Sequence, residues 1–137
     1  MFKLQRVEDV DTLVKTWRRL VVLAEGNGPE VSTKSLLDMF LQCLNNGGVF
    51  FVRGDEGLIG FVCVEAMSDE CVALRSVPRD KLPGLGKACL TYVRDWAKSE
   101  GFRRLFVSTS QFSGSNFKYF KHTLGMQQHS VTFSMKL

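Results

Sequence analysis

Apolar and polar side chains alternate through FKLQRV, residues 2–7, which puts Phe2, Leu4 and Val7 on or near one face and predicts a short first strand. The period then lengthens. In EDVDTLVKTWRRLVVLAEG the apolar residues Val10, Leu13, Val14, Trp17, Leu20 and Val21 recur every three or four positions, the signature of an amphipathic helix. Asp9 or Asp11 can cap its first amides, and Gly26 or Gly28 ends it. STKSLLDMFLQCLNN predicts a second helix, capped by Ser32 or Thr33, with Leu36, Leu37, Phe40 and Leu44 facing inward and Asn45, Asn46 and two glycines as the stop.

The next segments read as strands. GVFFVRGDEGLIGFVCVEAM sets two apolar runs around Arg53 to Gly57, with Asp55 and Gly57 as turn residues, and so predicts a β-hairpin. DECVALRSV is a third consecutive strand. From Gly84 to Ser99 the pattern turns helical, with Leu85, Cys89, Val93, Trp96 and Ala97 inward and Gly101 as the terminator. RRLFVSTS is then a buried strand, SGSNFKYFKHTLG a short helix stopped by Gly125, and MQQHSVTFSMKL a final strand or pair of strands. The order β-α-α-β-β-β-α-β-α-β(β) predicts an α/β fold, a mixed sheet with helices on its faces. No repeat, linker or low-complexity stretch breaks it, so residues 1–137 are expected to form one domain.

Composition narrows the classes further. With 45% apolar and 23% charged residues, the 137-residue chain has the balance of a protein that folds without staples. Cys43, Cys63, Cys71 and Cys89 lack metal-ligand or Cys-x-x-Cys spacing, and His122 and His129 are remote from them, so no metal site is expected. Charges interrupt MFKLQRVEDV where a secretory leader has its apolar core, and reduced, buried thiols in a cytoplasmic protein are expected. No apolar run is long enough to span a membrane. The 18 basic and 14 acidic residues give a net charge of +4, which favours anions without choosing among them.

RDKLPGLGKACL, residues 79–90, carries two glycines at the junction of a loop and a helix. A helix start offers amide donors and the positive end of the helix dipole, enough to hold a phosphate. Gly84 and Gly86 would let it approach the backbone, and Arg79, Lys81 and Lys87 add positive charge. The same residues also make an ordinary helix-starting turn. The strand-loop-helix-strand order puts the loop at the carboxyl end of a strand, where open sheets bind ligands.

The element order, together with SVPRDKLPGLGKACLTYVRDWAKSEGFRRLFVST and NFKYFKHTLGM, resembles the GNAT superfamily of acetyl-CoA-dependent N-acetyltransferases. The agreement in order spans nearly the whole chain, and agreement in sequence is confined to about residues 76–126. The resemblance implies that Lys81, Gly84, Leu85, Gly86 and Lys87 bind the CoA pyrophosphate, that Leu74, Arg75 and Ser76 line the pantetheine arm, and that Asn116 contributes to the cofactor site. Lys81 stands where the family has Arg or Gln, and Leu82 and Pro83 where it has a glycine and a basic residue; proline removes one amide donor. Lys121 falls where many members carry the tyrosine that protonates the departing thiolate, with Tyr119 about 200° away around the helix.

The implied reaction is direct attack of a primary amine, from a small molecule or a protein, on acetyl-CoA in a ternary complex. It needs a base for the amine, for which Glu65 and Glu70 are candidates, and a proton for the thiolate, for which Lys121 and Ser110 are candidates; Ser108 stands close by. Each carboxylate reads more readily as an exposed turn residue than as a base, and each serine equally as a helix cap. In such folds the first two helices and their connecting segment, here AEGNGPEVSTKS, wall the acceptor site, and within it Glu25 and Glu30 are candidate partners for a cationic amine. A monomer or homodimer is expected. The alternative is a catalytically weak or inactive GNAT-like binding or virion-associated module, since short divergent chains of this kind occur in phages. A nucleic-acid binder, resting on Phe112, Phe117, Tyr119 and Phe120, has the least support.

Overall fold

Eight elements follow one another in the residues that the computed structural model describes, 2–25, 32–78 and 83–107. They are β1 (Lys3–Val7), α1 (Val10–Glu25), α2 (Thr33–Asn45), β2 (Gly47–Gly54), β3 (Gly57–Ala66), β4 (Cys71–Ser76), α3 (Leu85–Ser99) and β5 (Arg104–Val107). Among these residues the strands form one sheet in the order β1-β2-β3-β4-β5. The first three pairings are antiparallel and β4 with β5 is parallel, the mixed sheet expected from the crossover through α3. The expected helix and strands after residue 107 lie outside the described residues, as do Gly26 and Gly28.

Strands β2 and β3 are buried on both faces, which is why they read as near-continuous apolar runs. Val49, Phe51, Phe61 and Cys63 join Leu13, Leu20, Leu36, Phe40 and Cys43 of α1 and α2 in one cluster. Phe50, Val52, Val62 and Val64 point the other way and pack with Val72 and with Leu85, Cys89 and Val93 of α3. The rings of Phe40 and Phe61 meet edge-on at 4.9 Å and 61°, tying α2 to the sheet. Burying each such side chain stabilises the fold by about 1.5–3 kcal/mol.

Two caps are as the sequence predicts. Asp9 Oδ1 accepts from the Thr12 amide and from Thr12 Oγ1, each at 2.8 Å, at the start of α1. These bonds, the backbone one first, hold the Asp9 carboxyl below its ordinary value. Ser32 Oγ accepts from the Ser35 amide at 3.1 Å and opens α2.

The inward stripes differ in detail. Val14 (66% exposed), Val10 (48%) and Leu37 (41%) face solvent, and α1 instead buries Leu23 and Ala24 beside Leu13 and Leu20. Successive helical residues are about 100° apart, so one member of an adjacent apolar pair can lie at the edge of the buried stripe, as Val14 and Leu37 do beside Leu13 and Leu36. In α3 Trp96 is half-buried and Leu90 takes a core position.

Candidate active site

The chain leaves β4 at Ser76 and stays beside β3 as far as Pro78, where a Cβ on Gly60 would come within 2.9 Å of the proline ring. It re-enters the described residues at Pro83 and turns into α3 through Gly84, which adopts the left-handed conformation at φ 78°, ψ 2°. Gly84 carries no side-chain cap, and its carbonyl accepts from the Ala88 amide at 3.0 Å. A Cβ there would meet nothing within 4 Å among the described residues. Leu85, 2% exposed, anchors the first turn in the core with Cys89 and Val93, while Lys87 is exposed. The result is a helix terminus with its positive end at the carboxyl edge of β4 and an extra cation on its surface, a geometry suited to an anion.

Strand β4 itself is irregular at the residues expected to line a bound cofactor. Cys63 pairs with Ser76 and Val64 with Leu74, so Arg75 is an extra residue bulged out of the ladder. Leu74 packs with the cluster on the α3 side. The parallel ladder with β5 is recorded from Cys71–Arg104 to Leu74–Val107, so Leu74 is the last described β4 residue paired to β5, and the bulge follows at once.

Arg75 forms an ion pair with Glu65 of β3, their side chains 44% and 27% exposed. The sheet therefore brings Glu65 to the middle of β4, where it is engaged by a guanidinium. Glu70 is placed elsewhere. It sits in the turn before β4, where its carbonyl accepts from the Arg103 and Arg104 amides at 2.7 and 3.1 Å and its carboxylate lies 3.9 Å from Arg103. Ser76 lies six positions further along, at the far end of β4, about 20 Å away in extended chain. Only Glu65 of the two candidate bases is thus near the bulge. Lys81, Ser110, Asn116 and Lys121 lie outside the described residues, with Arg79, Leu82, Ser108, Tyr119 and both histidines.

Sequence reasoning missed the Arg75–Glu65 pairing and the bulge that produces it; opposite charges on consecutive predicted strands were the available signal. It also missed that Cys43 and Cys63 meet. Cys43 lies three residues after Phe40 on the inward stripe of α2, and Cys63 lies two after Phe61 on the same face of β3. The Cys63 thiol donates a hydrogen bond that lowers the Cys43 pKa, while burial pushes Cys63 well up. Among the described residues no group of three or more His, Cys, Asp or Glu side chains is placed to hold a metal, and no helix is long and apolar enough to cross a membrane.

No protein-family model matches the chain, and no curated protein does. Solved structures do. An aminoglycoside N-acetyltransferase in complex with CoA aligns with a TM-score of 0.69 at 19% identity, covering 99% of this chain and 95% of that one. A GNAT family acetyltransferase from Elizabethkingia anophelis with acetyl-CoA bound gives 0.70 at 17% identity, over 94% and 78%. Glucosamine-6-phosphate N-acetyltransferase from Arabidopsis thaliana gives 0.62 at 18%, over 99% and 98%. The chain has the fold of the GNAT acetyltransferases.

Proposed function

We propose that the protein is an N-acetyltransferase that moves an acetyl group from acetyl-CoA to a primary amine by direct attack in a ternary complex. The observation that carries this reading is the β4–α3 junction: a bulged strand end leading to a helix that starts on left-handed Gly84. Solved structures of the same fold hold CoA or acetyl-CoA.

The first turn of α3, from Gly84 to Lys87, receives the pyrophosphate through backbone amides aimed along the helix axis, with Lys81 and Lys87 adding charge. Leu74, Arg75 and Ser76 line the pantetheine arm, and the bulge turns β4 amides toward the thioester oxygen. In the transfer the C–N bond forms, the C–S bond breaks, and the amine proton must leave. Glu65 is the better placed carboxylate to take that proton, through water, and Lys121 or Ser110 returns one to the thiolate. Neighbours named for aminoglycosides and for glucosamine-6-phosphate support a small-molecule acceptor.

Calorimetry with acetyl-CoA, CoA and a CoA fragment lacking the pyrophosphate tests the binding. Micromolar affinity that needs the pyrophosphate and is lost in Gly86→Glu is expected, and the absence of binding to any of the three would refute the reading. Thiol release over a panel of amines then tests turnover; acetyl-CoA binding with no release from any amine would leave a binding module in its place. Unchanged turnover in Lys121→Ala would remove that side chain from the reaction.

A further inference from the structure

The bulge at Arg75 brings a guanidinium to a carboxylate on the face of the sheet opposite α3. Cys63 lies in the cluster beneath α1 and α2, and side chains alternate along a strand, so Glu65, two residues on, shares that face. Leu74 belongs to the opposite cluster with Leu85 and Cys89 of α3, and Arg75 beside it reaches back to Glu65. Among the described residues no β4 side chain joins the cluster of α1 and α2, and Arg75 and Glu65 stay 44% and 27% exposed. Their contact is single. Arg75 Nη1 donates to Glu65 Oε2, and among the described residues no other hydrogen bond engages either side chain, which leaves the Nε and Nη2 edge of the guanidinium and Glu65 Oε1 to a ligand. An exposed pair of this kind adds little to stability, whereas a bulge re-aims a side chain by giving up ladder pairing.

We infer that Arg75 and Glu65 form the acceptor subsite and select a small zwitterion, a primary amine with an oxyanion, carboxylate or phosphate, a few bonds away, as in an α-amino acid. This choice of acceptor rests on the acetyl-transfer reading above. The start of α3 and the ion pair flank the same strand end from opposite faces, so an acceptor arriving opposite the cofactor meets the pair. The open edge of the guanidinium takes the oxyanion in a two-pronged bond, and Glu65 holds the ammonium. Because the two side chains touch, the two charges of the acceptor must lie close together. A polycation without an anion meets Arg75 as a like charge. In the transfer the ammonium first gives one proton to solvent through water at Glu65. The nitrogen then bonds to the acetyl carbon, the C–S bond breaks, and a second nitrogen proton ends on the CoA sulfur. The products are the N-acetylated zwitterion's anion, the CoA thiol and one proton.

The test follows CoA thiol release from acetyl-CoA with the common protein amino acids, with O-phosphoethanolamine, with the amine each becomes when its anion is removed, and with the aminoglycoside kanamycin. Expected is a kcat/KM for at least one zwitterion about tenfold or more above that of its anion-free amine, a ratio that falls by about tenfold or more in Arg75→Gln and is partly kept in Arg75→Lys. The carboxylate and phosphate arms identify the oxyanion. A ratio cancels any general loss of activity, and the panel on the parent chain is decisive if a variant fails to fold. Turnover of anion-free amines or kanamycin without preference for any zwitterion would overturn the subsite and leave the acetyltransferase reading in place. A ratio unchanged in Arg75→Gln would overturn it too. If no amine releases thiol, calorimetry on the CoA-bound protein decides: a zwitterion bound by the parent and lost in Arg75→Gln would keep the subsite and refute the transfer, and binding of none would overturn the subsite.

Discussion

Replacing Gly84 by alanine isolates a single physical effect at the start of α3. The residue sits at φ 78°, ψ 2°, and a Cβ there would touch nothing within 4 Å among the described residues, so no clash with them accompanies the change. What remains is the penalty for an L-residue in the left-handed region, about 1–2 kcal/mol. That corresponds to roughly a 5- to 30-fold shift toward the unfolded state. Asparagine visits this region more readily, so Gly84→Asn should recover part of the loss. Urea unfolding followed by circular dichroism reads the effect as a lower midpoint at constant slope. Asparagine as damaging as alanine would refute the conformational account, and so would an alanine variant with the midpoint of the parent. If the proposed pyrophosphate site is correct, CoA affinity should fall in the same order, alanine below asparagine below glycine.

Gly47→Ala should be far more damaging than Gly84→Ala and gain nothing from asparagine, because a Cβ at Gly47 would lie 2.9 Å from the Val64 carbonyl carbon and nearer still to its oxygen. Equal unfolding midpoints for the two alanine variants would contradict this. Phe61→Ala, at a site 1% exposed, should lose about 3–5 kcal/mol, and a double-mutant cycle with Phe40→Ala should show about 0.5–1.5 kcal/mol of coupling. Strict additivity would remove the edge-on contact from the account. The Asp9 carboxyl is lowered in the folded state by its bonds to Thr12, so its contribution is complete above the unfolded value and is lost as pH falls through the folded one. Asp9→Asn should therefore flatten the acid limb of a stability profile measured from about pH 2 to pH 7; an unaltered limb would exclude the cap as a source of it.

Most of the architecture was legible because its signals are local. Asp9 and Ser32 cap the helices that their positions announced, and Asp55 falls in the hairpin turn, between the end of β2 at Gly54 and the start of β3 at Gly57. Inward faces were less legible where two apolar residues adjoin, as at Leu36–Leu37, since periodicity alone does not say which of the two the sheet covers. The candidate site was legible only in part. Gly84 stands out in the sequence, but the bulge at Arg75 depends on how β4 registers against β3, a long-range property with no local signature. The same holds for Glu65 and Glu70, which look alike in sequence and end up at different places along β4.

The double-sided burial of β2 and β3 changes what guards against mispairing. In a strand with one wet face, slipping by one residue exposes the apolar set and is penalised at once. Here a slip would exchange Val49 and Phe51 for Phe50 and Val52, apolar for apolar, and the hydrophobic effect would be nearly indifferent. Alignment must then be enforced by shape. Gly48 leaves room for the Phe50 ring, Gly60 for Pro78, and the edge-on rings of Phe40 and Phe61 meet in only one alignment. Small residues at these points act as keys to the pairing, and enlarging one would be expected to yield a chain with much the same secondary structure but more than one way of stacking its central strands.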